Sequence, residues 1–185
     1  MNKKLTQTAV LAGICIMLTL TGWGFIKTPL LSITFVHLPV ILGALIVGKK
    51  EGIILGLTFG LCSLVNNMIY PTATSFVFYN PMVSIFPRVM ISVVVIGVAL
   101  ALKNQKQEIR IVASAVAGSL TNTVLVLSMI YVFYAARYAE ALNISKDAVI
   151  ATLATTAAVN GISEAIFVSI LCLVIIKAMK KDLAY

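Results

Sequence analysis

Between Leu5 and Ile176 the chain passes through six apolar stretches separated by short polar breaks, and no other feature limits its fold as strongly. The stretches cover residues 5–23, 35–47, 53–69, 81–102, 111–134 and 148–176. A helix that crosses the hydrocarbon of a bilayer takes roughly 20 apolar residues. Six of them leave enough of the 185 residues for loops and tails, and no room for a separate soluble domain. Composition agrees. The chain is 61% hydrophobic and 11% charged, with mean hydropathy +1.06, whereas a soluble domain carries about 25% charged residues. These features predict an all-α integral membrane protein, one membrane domain over 1–185, built as a compact six-helix bundle. The first stretch follows Lys3-Lys4 and lacks a small-x-small cleavage site before a polar sequence, so it reads as a retained helix.

The charges mark the breaks. Ten of the fourteen basic residues fall on one side of a six-span arrangement: Lys3, Lys4, Lys49, Lys50, Lys103, Lys106, Arg110, Lys177, Lys180 and Lys181. Cytoplasmic loops carry the excess of Lys and Arg, so both termini and the two lysine-marked turns are expected in the cytoplasm of a cell-membrane protein. The net charge of +8 is spread over these breaks and forms no basic stripe with interleaved aromatics, which argues for the lipid bilayer as partner and against nucleic acid. The opposite loops, roughly 24–34, 70–80 and 135–147, are longer and lie beside Trp23, Asn80 and Tyr131. Aromatic and hydrogen-bonding side chains around a mouth suit a small-molecule pocket; an interfacial aromatic belt is the alternative.

Several polar groups fall where hydrocarbon should be. Arg88 lies about 10 Å into the fourth stretch at 1.5 Å per residue. Glu164 is near the middle of the sixth, Asn160 is one helical turn before it, and Asn122 is central in the fifth. Asn66 and Asn67 end the third stretch, and His37 begins the second. A charge at mid-bilayer costs at least about 2.5–3.5 kcal/mol, so such groups face protein or water and point to function. The competing reading is structural: Arg88 paired with Glu164, Asn122 hydrogen-bonded to Asn160, and His37 a satisfied core residue. One His and no carboxylate cluster give no metal site, and Cys15, Cys62 and Cys172 read as packing residues. No nucleophile–base set or phosphate loop is present, so the pattern favours binding over catalysis.

Small residues recur at four-residue spacing: Gly52, Gly56 and Gly60; Ala157, Gly161 and Ala165; Ala9 and Gly13. Such rows let helices approach closely. The first two suit contacts inside the bundle, and Ala9–Gly13 is the candidate for docking another membrane protein.

Certain segments are more specific. The chain resembles the substrate-binding (S) components of energy-coupling factor (ECF) vitamin transporters at Phe35-Val36-His37-Leu38-Pro39-Val40-Ile41-Leu42-Gly43-Ala44, at Val47-Gly48-Lys49-Lys50-Glu51-Gly52 and, most strongly, at Asn80-Pro81-Met82-Val83-Ser84-Ile85-Phe86-Pro87-Arg88. Ala9 and Gly13 match the AxxxA-like motif by which that family meets its coupling protein, with Gly for the second Ala. The resemblance implies a non-enzymatic transport subunit with no cofactor of its own. It would capture a vitamin from outside and deliver it with a transmembrane coupling protein and two cytoplasmic ATPases that use the ATP. The segments are most similar to pantothenate-type S components. Arg88 would then meet the carboxylate, and Asn66, Asn67, Asn122 and Asn160 the hydroxyls and amide, with Lys27 or Arg137 as substitutes for Arg88 and with Asn80, Tyr131 and Trp23 as further binding candidates. Glu164 suits a neutral or cationic pyrimidine better. Folate, a hydroxymethylpyrimidine or thiamin precursor and riboflavin remain open as ligands, as do an ion-coupled secondary transporter and a membrane enzyme.

Overall fold

The computed structural model describes residues 3–27 and 32–185, with residues 25–27 and 32–33 described by their backbone alone. Helix α1 (Lys3–Leu20) leads into a short antiparallel hairpin, β1 (Phe25–Lys27) and β2 (Ser32–Thr34), in which Phe25 pairs with Thr34. Then come α2 (Leu38–Ile46), α3 (Lys49–Ile69), a 3-10 turn (Ser75–Tyr79), α4 (Pro81–Ser84), α5 (Phe86–Ala101) and α6 (Gln107–Leu142). The last helical stretch is α7 (Lys146–Thr156), a π turn (Ala157–Gly161) and α8 (Ile162–Ala178). Among the described residues, five stretches are long and apolar enough to cross a bilayer: Lys3–Leu20, Lys49–Ile69, Pro81–Ala101, Gln107–Leu142 and Lys146–Ala178. The chain is therefore a multi-pass, predominantly helical membrane protein.

The second apolar stretch behaves differently from the span expected at 35–47. Its helix is nine residues, about 14 Å at 1.5 Å per residue, too short to cross the hydrocarbon alone. Pro39 opens it, and Gly48, at φ 150°, breaks the chain between α2 and α3. Residues Leu38–Leu45 are all buried. A helix apolar on every face has no side to give to water, and here it fills the interior among α1, α3, α5 and α8. The loop expected at 24–34 contains the hairpin; residues 28–31 of it lie outside the described residues.

Two further boundaries shift for local reasons. Helix α6 continues to Leu142, through the stretch 135–142 expected as loop. Ala135-Ala136-Arg137-Tyr138-Ala139-Glu140-Ala141-Leu142 contains no breaker, and the helix ends only where Asn143 adopts a left-handed conformation at φ 53°. The stretch expected as one helix from 81 divides at Ile85, because Pro87 has no N–H for the carbonyl four residues earlier, that of Val83. Asn80 starts α4 in a standard way. Its side chain accepts the Met82 N–H at 2.9 Å while Pro81 takes the first helical position.

Two apolar clusters form. The larger unites Leu45, Leu55, Ile91, Ala115, Cys172 and their neighbours towards the lysine-marked turns. The smaller gathers Val77, Val83, Val126, Ile130, Val149 and Leu153 at the other end. Along α6 and along α7–α8, polar residues occupy the gap between them. The glycine row of α3 works inside the bundle. A Cβ at Gly52 would come within 2.8 Å of the Ala44 side chain, at Gly56 within 2.7 Å of the Arg88 carbonyl, and at Gly60 within 2.7 Å of the Ile85 Cα.

Candidate functional site

The polar gap is a cavity of about 960 Å³ at the end away from the lysine-marked turns. It runs from the exposed Tyr70 and Thr72 down to the buried Arg88. Six of the residues singled out from sequence line it together: Asn66, Asn67, Arg88, Asn122, Asn160 and Glu164. They come from four segments far apart in the chain, and the fold brings them to one cavity.

Arg88 sits at the bottom, 6% exposed. Its position follows from the break before it. The Val83 carbonyl freed by Pro87 accepts a hydrogen bond from Arg88 Nη1 at 2.8 Å, and Nη2 reaches Ser63 Oγ at 3.5 Å. The guanidinium also lies over the rings of Phe59 and Phe78, 5.4 and 5.6 Å from their centroids, within the range of a cation–π attraction. Its Nε, although buried, has no hydrogen-bond partner. Arg88 and Glu164 are not an ion pair: among the described residues the salt bridge within 4 Å joins Glu108 to Lys177, at 3.1 Å near the lysine end.

Glu164, 8% exposed, instead accepts the backbone N–H of Thr34 through Oε1 at 2.8 Å, which ties the end of β2 to α8. Asn122 leaves its buried Oδ1 without a partner. A buried polar atom left unsatisfied costs about 1–3 kcal/mol. Arg88 Nε and Asn122 Oδ1 are two such atoms, on residues that line one cavity. Asn67 differs: it donates to the Ser63 carbonyl at 2.8 Å and accepts from Ser75 Oγ at 2.8 Å, so it fastens the 3-10 turn to α3.

The remaining candidates lie off the cavity lining. Trp23 is 76% exposed and Tyr131 44% exposed. Asn80, besides capping α4, donates to Tyr134 Oη at 3.2 Å. Arg137 stacks over Phe76, 4.3 Å from its centroid, and the side chain of Lys27 lies outside the described residues. His37 is buried beneath, with Nε2 3.1 Å from Ser119 Oγ and Nδ1 without a partner, so the satisfied-core reading holds for one ring nitrogen only. Ala9 and Gly13 lie on an exposed face of α1, and a Cβ at Gly13 would meet nothing within 4 Å.

Some lining residues escaped the sequence reading, among them Thr34, Phe59, Ser63, Phe78, Thr123 and Thr156. A signal existed for two of them. Phe59 and Ser63 share the helical face of Asn66, Asn67 and Tyr70 on α3. Phe78 sits on a 3-10 turn, outside any helical periodicity.

Comparison with known proteins gives the same picture. Residues 3–176 match the family model described as "ECF transporter, substrate-specific component". The chain is also 32% identical over 173 residues to the "Pantothenic acid transporter PanT" of Lactococcus lactis subsp. cremoris (strain MG1363), a match that covers 86% of this chain and 81% of that protein.

Proposed function

Because the chain belongs to the ECF transporter substrate-specific component family, we propose that it captures pantothenate from outside the cell and delivers it to a shared import machinery. Arg88 carries this reading. A buried guanidinium with no carboxylate partner among the described residues, set over two aromatic rings at the bottom of a cavity, is a receptor for one small anion. Pantothenate brings a carboxylate for Arg88 in a charge-assisted bond, and hydroxyls and an amide for Asn122 and Asn160. Glu164, on α8, accepts a hydroxyl of the ligand and keeps the carboxylate at the Arg88 end. The relative named for pantothenic acid supports the same choice.

The lysine-marked turns put that end of the bundle, with both termini, in the cytoplasm, and the cavity then faces outward in a six-pass cell-membrane arrangement in which the hairpin and α2 together make the return passage between α1 and α3. The partners are a transmembrane coupling protein and two ATPases that use the ATP, and this chain brings no cofactor of its own. The exposed Ala9–Gly13 face is the docking surface.

A second reading, a neutral or cationic pyrimidine such as a thiamin precursor, is favoured by the carboxylate of Glu164. Calorimetric titration of the purified protein with pantothenate, its alcohol counterpart, hydroxymethylpyrimidine, thiamin, folate and riboflavin decides between them. Pantothenate is expected to bind tightest, and the alcohol at least 10-fold more weakly, about 1.4 kcal/mol. Tighter binding of a pyrimidine, or equal binding of acid and alcohol, overturns the assignment.

A further inference from the structure

Helices α1 and α8 both border α2 and leave a groove of about 460 Å³ between them. Leu38, Pro39, Leu42 and Ile46 of α2 form its floor. Val10 and Ile14 stand on one wall, Leu171 and Ile175 on the other. Val10 is 57% exposed, so the groove opens sideways, towards the lipid. Its lining is apolar except for Thr6 and Gln7, and both of these lie at the lysine end.

The dimensions restrict what fits. From Thr6 to Leu18 is 12 positions along α1, about 18 Å at 1.5 Å per residue. One leaflet of a bilayer contributes about half of a roughly 30 Å hydrocarbon layer, so the groove is as long as a single leaflet is deep. Spread over that length, its volume gives a cross-section of about 25 Å². A helix with its side chains is about 10–12 Å across, three to four times that area. A helix lies over such a groove and not in it, whereas one extended hydrocarbon chain lies inside.

The polar end carries charge. Gln7, Val10, Ile14 and Leu18 follow one another at steps of three and four residues, and Lys3 begins the same row. Lys3 is exposed, and among the described residues the salt bridge within 4 Å joins other groups, Glu108 and Lys177. Lys4 beside it and Lys180 after Met179 are exposed at the same end. Ala9 and Gly13 sit about a third of a turn further round α1, so their face remains separate.

We propose that this groove is a site for an anionic phospholipid, with one acyl chain between α1 and α8 and the phosphate at Lys3. The apolar length takes the chain, and the lysine selects the headgroup. This site does not depend on which vitamin fills the cavity.

Native mass spectrometry of the purified full-length protein, titrated with phosphatidylglycerol or phosphatidylcholine of identical chains, tests it. One phosphatidylglycerol should be retained about 5-fold more tightly than phosphatidylcholine, the contribution of one lysine near an anionic headgroup. Lys3→Gln should abolish that preference and leave phosphatidylcholine unchanged. Val10→Trp, which fills the groove from its open side, should remove the tight site for both lipids; Ile14→Trp serves if Val10→Trp does not fold. Excess glycerol 3-phosphate should displace neither lipid. Equal retention of the two lipids by the wild type, a preference that survives Lys3→Gln, or full retention in the folded tryptophan variant would each overturn the proposal. Displacement by glycerol 3-phosphate would make Lys3 a site for free phosphate, and would also overturn it.

Discussion

A charge sunk in hydrocarbon must be held by something, and for Arg88 the holders are a carbonyl, a hydroxyl and two ring faces, none of them anionic. That arrangement leaves its positive charge available. Arg88→Ala should weaken pantothenate binding at least 10-fold, about 1.4 kcal/mol, with the protein still monodisperse by size-exclusion chromatography. Arg88→Lys should recover little of it, because an ammonium lacks the planar fork that meets the Val83 carbonyl and stacks between rings. Unchanged affinity in folded Arg88→Ala would make the residue structural. The sequence revealed Arg88, Asn122, Asn160 and Glu164 for one reason: a charge or amide inside an apolar stretch is anomalous on its face. Thr34 was hidden because its contribution is a backbone N–H, which has no residue signature. Phe59 and Phe78 were hidden because an aromatic ring in an apolar stretch looks like ordinary core.

At the scale of elements, the same four-residue spacing of small residues serves two ends, and only the structure separates them. Gly56 faces α5, where an added Cβ would press on the Arg88 carbonyl at 2.7 Å and the Val89 Cα at 3.0 Å, both backbone atoms that cannot step aside. Gly56→Ala should therefore lower thermal stability, by about 1–3 kcal/mol for overpacking, and weaken ligand binding by displacing Arg88. Gly13 meets nothing, so Gly13→Ala should raise the isolated protein's stability by about 0.5–1 kcal/mol through helix propensity and leave affinity unchanged, whereas Gly13→Leu should impair vitamin uptake in cells without altering ligand capture. Full uptake with Gly13→Leu would move docking to another face. Helix boundaries were legible where a proline, glycine or cap set them, as at Asn80-Pro81. The shortness of helix α2 was not, since apolar length alone does not distinguish a helix that crosses the bilayer by itself from a short buried one. Its last carbonyls, beyond the reach of the helix's own N–H groups, are met by distant residues: Ala184 N–H donates to Leu45 at 2.8 Å and Tyr185 Oη to Ala44 at 2.8 Å. Burial and, next, the carboxylate of Glu51 push the Tyr185 hydroxyl up to about 12, so it remains a donor at physiological pH.

Across the whole molecule, the two ends divide the work. Towards the lysine end the larger apolar cluster fills the interior, and the segment up to Tyr185 is fastened over α2 and α6, with Arg110 donating to the Tyr185 carbonyl at 2.7 Å and Gln107 to that of Lys181 at 2.8 Å. The other end holds the cavity. That cavity reaches the surface at Tyr70 and Thr72, and the orientation proposed above makes this approach external. Cysteine labelling tests the orientation directly. Cys15 and Cys172 are buried, and Cys62, the partly accessible one, can be replaced by Ser to silence the background. Tyr70→Cys, at the exposed rim of the cavity, should react with a membrane-impermeant maleimide in intact cells, and pantothenate should slow that reaction. Lys50→Cys, exposed in the first turn of α3, should react only in inside-out vesicles, with no protection by ligand. The reverse pattern would invert the bundle and place the binding site on the cytoplasmic side. Labelling of Tyr70→Cys from outside without protection would keep the orientation and move the ligand elsewhere.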